Sequence, residues 1–115
     1  MANTFKVVTK AGVTSADVIY TVAGSTTTVV LGLMLGNTTS SSINATVTLG
    51  TDTSNRAGNN DEANQAVELI TSTPIPGNSS LELLAGNKVV METTDTLSVT
   101  GSGATDVVLS IMEIT

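Results

Sequence analysis

At 115 residues the chain has the length of one domain, with no room for a second core. Its 40% hydrophobic content excludes intrinsic disorder, and its 12% of charged residues is about half the ~25% of an average globular chain, the balance being Thr, Ser, Gly and Asn. The formal charge of −6, with only Lys6, Lys10, Arg56 and Lys88 as dispersed basic residues, excludes phosphate-neutralising contact with nucleic acid and docking on anionic membranes. There is no cysteine, so disulfides and thiolate zinc sites are excluded.

In chain order, period-2 patterning and turn chemistry predict about nine short strands: Thr4–Thr9, Asp17–Val22, Thr27–Leu35, Asn44–Leu49, Gln65–Thr71, Ser80–Leu84, Lys88–Glu92, Asp95–Thr100 and Thr105–Ile114. Val18, Tyr20 and Val22 alternate with Ile19 and Thr21, and Ala45, Val47 and Leu49 with Thr46 and Thr48. Leu81 and Leu83 flank Glu82, and Leu97 and Val99 alternate with Ser98 and Thr100. Val29 to Leu35 and Val107 to Ile114 are apolar on both faces, which predicts central strands or strands covered by a neighbouring subunit. Neither is close to the ~20 apolar residues of a membrane span. No basic and then apolar leader with a cleavage site is seen early in the chain, so no secretory signal is expected. Gly24-Ser25, Gly36-Asn37, Ala85-Gly86-Asn87 and Gly101-Ser102-Gly103 mark turns, and Pro74-Ile75-Pro76-Gly77-Asn78 reads as a rigid corner. Asp61 to Ile70 holds the one stretch of good helix formers, with strand favoured from Val67 onward. The predicted fold is all-β, a single β-sandwich over residues 1–115 with jelly-roll or immunoglobulin-like connectivity.

Chemistry-bearing groups are sparse. With neither His nor Cys, and no Gly-x-Ser-x-Gly elbow, the usual nucleophilic dyads and triads are missing. Asp61 with Glu62, and Glu92 with Asp95, read as solvated turn charges rather than catalytic pairs. No catalytic or cofactor-binding residue, and no small-molecule substrate, is expected. The long irregular stretch Thr51 to Asn64 offers Asp52, Asn55, Asn59, Asn60, Asp61 and Glu62 as oxygen ligands. Their spacing departs from a calcium loop and Arg56 sits among them, so they read as turn formers and no metal is expected. Asn37-Thr38-Thr39, Asn44-Ala45-Thr46 and Asn78-Ser79-Ser80 match the glycosylation pattern, as chance allows in an Asn- and Thr-rich chain. Phe5 and Tyr20 are the only aromatics, too few for a sugar-stacking platform. Met34, Met91 and Met112 read as gap-fillers in the core or at an interface.

Val18-Ile19-Tyr20-Thr21-Val22, Thr27 to Leu33 and Asn37-Thr38-Thr39-Ser40 are followed by Pro74-Ile75-Pro76-Gly77-Asn78-Ser79-Ser80-Leu81, Lys88 to Glu92, Thr94 to Val99 and Val107 to Thr115. In that order they resemble small virion proteins of tailed bacteriophages, particularly those infecting marine cyanobacteria. The chain departs from the pattern where Val22-Ala23-Gly24 replaces Pro-Ala-Gly and where Thr94-Asp95 replaces Gly-Asp. The stretch Thr51 to Asn64 has no counterpart in it. The resemblance implies a non-enzymatic, multi-copy particle component, located in the virion after assembly in the host cytoplasm.

The acidic balance would limit adhesion to packaged DNA and favours an outer position. A head decoration (cement) protein on the major capsid protein lattice is therefore expected first. A tail-, neck- or fibre-associated subunit is the alternative within that class, and a cellular adhesion or ligand-binding β-sandwich the alternative outside it. A homo-oligomer, dimer or trimer, is expected. Its contacts are assigned to the second row of the two-faced strands: Val108, Met112 and Ile114, with Val30 and Met34.

Overall fold

The computed structural model describes residues 2–51, 65–84 and 87–115. Among them are nine strands and no helix: β1 (Asn3–Val13), β2 (Asp17–Thr21), β3 (Thr27–Asn37), β4 (Ile43–Thr51), β5 (Gln65–Ile75), β6 (Ser80–Leu83), β7 (Val89–Met91), β8 (Thr96–Gly101) and β9 (Thr105–Ile114). Strand is the structure from Gln65 through Ile70, where helix formers compete with β-branched residues, while Asp61 to Asn64 lie outside the described residues. The predicted turn at Ala85-Gly86 lies outside them as well.

All pairings are antiparallel, in two sheets ordered β1-β9-β3-β6, with β7 also on β3, and β2-β8-β4-β5. β6 and β7 lie one after the other along the same side of β3, against Leu33–Gly36 and Thr28–Val30. Counted as one interrupted strand, they leave eight. The first then pairs with the last, the second with the seventh, the third with the sixth and the fourth with the fifth. That nesting is one long hairpin rolled into two sheets, the connectivity of a jelly roll. The core between the sheets is built of Val30, Leu33, Leu35, Val107, Leu109 and Ile111 on one side and Ala45, Val47, Leu97 and Val99 on the other.

Two β-bulges change which side chains reach that core. The β3–β9 register shifts between Val30 and Gly32, so Leu31 is an extra residue. Before it Thr28 and Val30 point inward; after it Leu33 and Leu35 do. The assignment of Val30 to an interface row with Met34 is therefore corrected: Val30 is fully buried in the core and Met34 points out. The β2–β8 register shifts between Val18 and Tyr20, and the same one-residue slip turns Val18 to solvent while Tyr20 and Val22 face in. Pro74 also departs from expectation. It lies inside β5, opposite Asn44, because β5 is an edge strand and an edge tolerates a residue with no N–H. The chain turns only at Pro76-Gly77-Asn78-Ser79, where a Cβ on Gly77 would collide with the Ser40 carbonyl.

The turn from β7 to β8 is held by buried Asp95, whose carboxylate accepts from the Glu92 N–H at 3.0 Å. It places Thr94 at φ 72°, a left-handed conformation that β-branched residues disfavour. Removing the Cβ relieves about 1–2 kcal/mol of strain against a smaller entropic cost of Gly in the unfolded chain. Thr94→Gly should raise the melting temperature by a few degrees, and the β-branched Thr94→Val should not.

Candidate functional site

The outer faces of the two sheets differ in chemistry. Outside β2-β8-β4-β5, the positions alternating with the core are Thr46 beside Thr100 and Thr48 beside Ser98, a hydroxyl surface. Outside the other sheet, Phe5, Met112, Val29 and Val90 stand in register on β1, β9, β3 and β7, an apolar row four strands wide. A second row holds Val7, Ser110 and Gly32, and a third holds Thr9, Val108, Met34 and Glu82. Phe5 is 72% exposed, Val7 62% and Val90 60%, so among the described residues nothing covers these three. Over Gly32 it sinks into an open depression of about 140 Å³ lined by Gly32, Leu33, Met34, Glu82, Val108 and Ser110.

Of the residues predicted for an interface, Val108, Met112, Ile114 and Met34 share this face, and Val30 does not. Phe5, Val7, Val29 and Val90 were missed. Phe5 and Val7 alternate with Thr4 and Lys6, a period that puts the pair on one face of the strand without saying which face is buried. On β1 Phe5 and Val7 face outward, while Lys6, opposite Ile111, points to the inner side. Met91 is fully buried.

The inner placement of Lys6 belongs to a polar cluster that closes one open side of the sandwich. The Lys6 ammonium lies 2.6 Å from Glu113 Oε1, and the Tyr20 hydroxyl donates to Glu113 Oε2 at 2.6 Å. Tyr20 also shares a 2.8 Å hydrogen bond with Thr28 Oγ1. β1, β9 and β3 of one sheet are thereby tied to β2 of the other. The bonds from Lys6 and then Tyr20 hold the Glu113 carboxyl below the usual glutamate value. Burial, reinforced by the Glu113 carboxylate, pushes the Tyr20 phenol up to about 12. Both shifts lead away from neutral pH, whereas a general acid or base is tuned toward it. The cluster is a clamp.

Its pH dependence follows. Glu113 stabilises the fold above the ordinary glutamate value of 4.5, and that contribution is lost as pH falls through its lowered value. Tyr20 stabilises the fold below its ordinary value of 10.0, and that contribution is lost as pH rises toward about 12. Tyr20 is the only tyrosine, so phenolate absorbance reads it alone; the midpoint should lie near 12 in the native protein and near 10.0 in denaturant. Tyr20→Phe should remove the alkaline loss of stability and cost about 1–2 kcal/mol at neutral pH.

Among the described residues no three His, Cys, Asp or Glu side chains gather into a group that could hold a metal ion. Asp52, Asn55, Arg56, Asn59, Asn60, Asp61 and Glu62 lie outside them. Asn37, first residue of one glycosylation-like triplet, is buried with its amide fully engaged, while Asn44 and Asn78 are exposed.

No protein-family model matches the chain, and no curated protein matches it. A solved structure described as "Bacillus endospore appendages form a novel family of disulfide-linked pili" aligns with 99% of this chain and 87% of its own, at 14% identity and a TM-score of 0.49.

Proposed function

We propose that this protein is a non-enzymatic structural subunit of a multi-copy particle, and specifically a decoration protein on the head of a tailed bacteriophage. The observation that carries the structural reading is the one-sided sandwich, apolar across the outer face of one sheet and hydroxyl-rich across the other. A contiguous exposed apolar face is a contact surface, and monomers in solution rarely keep one. The resemblance to virion proteins of cyanobacterial phages supports the choice of particle, and the acidic balance supports an outer position, away from packaged DNA. Neither aromatic supports a sugar-binding adhesion module, since Phe5 stands among aliphatic side chains with no second aromatic beside it and Tyr20 serves the clamp.

The test is to add the purified protein to tailed-phage particles that lack it and image them by cryo-electron microscopy. Ordered new density on the head lattice is expected. Density confined to tail, neck or fibres would replace the head assignment by the tail-associated one. Absence of density on any part of the particle would overturn the virion reading.

A further inference from the structure

We infer that the outer face of the β1-β9-β3-β6/β7 sheet is the contact of a two-fold dimer, in which Phe5 of each copy fills the depression over Gly32 of the other. The inference deepens the assembly reading, from which it takes only that the protein works in more than one copy.

The face carries both a knob and a hole. Phe5 projects from edge strand β1 with most of its ring in solvent. Two strands away and one row along, Gly32 leaves the depression on central strand β3. A surface holding a projection and its complement can close on itself about a two-fold axis passing between them, each contact being made twice. A ring of three would need two separate complementary patches. Among the described residues the outer face of the opposite sheet offers hydroxyls, the Glu68 carboxylate beside Thr48 and the isolated Val18.

Gly32 follows the bulge at Leu31, but neither backbone conformation nor packing among the described residues demands glycine there. Its φ is not positive, and a Cβ there would meet nothing within 4 Å. Glycine in a strand costs roughly 0.5–1 kcal/mol relative to alanine, and it marks either a bulge, as at Leu31 here, or the close approach of another molecule. Gly36, two rows on, is likewise unforced, since a Cβ there would make only ordinary contact with the Asp106 carbonyl at 3.9 Å.

The area suffices. β3 and β9 span 11 and 10 residues. With β1 at 11 residues and the interrupted fourth strand of β6 and β7 at 4 and 3, the sheet covers about 600 Å² in plan, and side-chain relief raises this toward the ~800 Å² per partner of a standard stable interface. Because each copy carries a formal charge of −6, the dimer should tighten as added salt screens the repulsion, as expected of an apolar contact between like-charged bodies.

Sedimentation of the full chain should show a dimer in the micromolar range. Phe5→Lys and Gly32→Leu should each weaken it at least about thirtyfold, the scale of an interface hot spot. Both should melt as cooperatively as wild type, because Phe5 is exposed and Gly32 faces open space. The chain has no cysteine, so paired variants give a cleaner readout. A mixture of Phe5→Cys and Gly32→Cys should form a mixed disulfide under mild oxidation, far faster than either variant alone. Phe5→Cys mixed with Val18→Cys, which lies on the other sheet, should not. A wild-type monomer at high micromolar concentration overturns the inference. So does a dimer insensitive to Phe5→Lys and Gly32→Leu, or cross-linking no faster than the Val18 control. A monomer that still decorates phage heads would sink the dimer and leave the proposed function standing. A dimer that decorates nothing would do the reverse.

Discussion

Leu109→Asp and Val47→Asp should each abolish folding, while Val108→Asp should leave a folded, cooperative protein. Leu109 and Val47 are fully buried, at the centres of the two facing sheets. Each substitution removes about 1.5–3 kcal/mol of apolar burial. Each also forces a carboxylate into a site with no partner, which costs several kcal/mol more whether it stays charged or takes up a proton. The sum reaches the whole stability of a domain of this size, about 5–15 kcal/mol. Val108 is the next residue along β9 and points to the outer face, where it is 40% exposed. A carboxylate there keeps its water. Circular dichroism and thermal melts of the three variants check the result, and a folded Leu109→Asp would mean that the inward row of β9 is misassigned.

Asn37→Asp should destabilise the protein more than Asn37→Ala, although Asp is nearly the same shape. The Asn37 side-chain amide, at the end of β3, donates to the carbonyl oxygens of Ser41 at 2.8 Å, Ile75 at 2.9 Å and Pro76 at 3.2 Å. Its oxygen accepts from the Thr39 N–H at 2.9 Å and the Thr39 hydroxyl at 2.7 Å. One buried side chain thus joins the turn after β3 to the corner after β5, and its own N–H donates to the Ser79 carbonyl at 2.8 Å. Truncation to Ala leaves several of these groups unpaired, at about 1–3 kcal/mol each where water cannot reach, for a total near 3–4 kcal/mol. Asp keeps the acceptor and turns the donor into a second anionic oxygen aimed at three carbonyls. Chemical denaturation at neutral pH should rank wild type above Ala and Ala above Asp. Lowering the pH should narrow the gap between the two variants, because a protonated Asp regains one donor. An Asp variant as stable as wild type would show that the corner does not depend on those bonds.

Strand content was legible because period 2 needs only local reading. Thr105 to Ile114 was located to the residue, and the inward rows of Ala45-Val47-Leu49, Leu97-Val99 and Val107-Leu109-Ile111 were assigned correctly. β1 was underestimated at both ends, since Lys10-Ala11-Gly12 carries no strand signal, and Lys10 and Val13 pair with β9 on either side of an irregularity at Ala11-Gly12. The candidate face was half legible. The second apolar row of β9 announced it, but the contribution of β1 did not, because the period of Phe5 and Val7 does not say which face is buried until Lys6 is seen turned inward to Glu113.

What the sequence by itself determined is therefore the class of the fold, the number of strands, and which two of them are central and two-faced. These follow from hydrophobic patterning over a few neighbouring residues. The tertiary structure alone decided the nested pairing that makes the sandwich a jelly roll, and the phase of the strands at Ile19 and Leu31. A bulge adds one residue to one strand of a pair, and composition leaves no mark of it. Everything beyond it changes face, which is why Val30 lies in the core and Met34 on the surface, although an unbroken strand would place them on the same side.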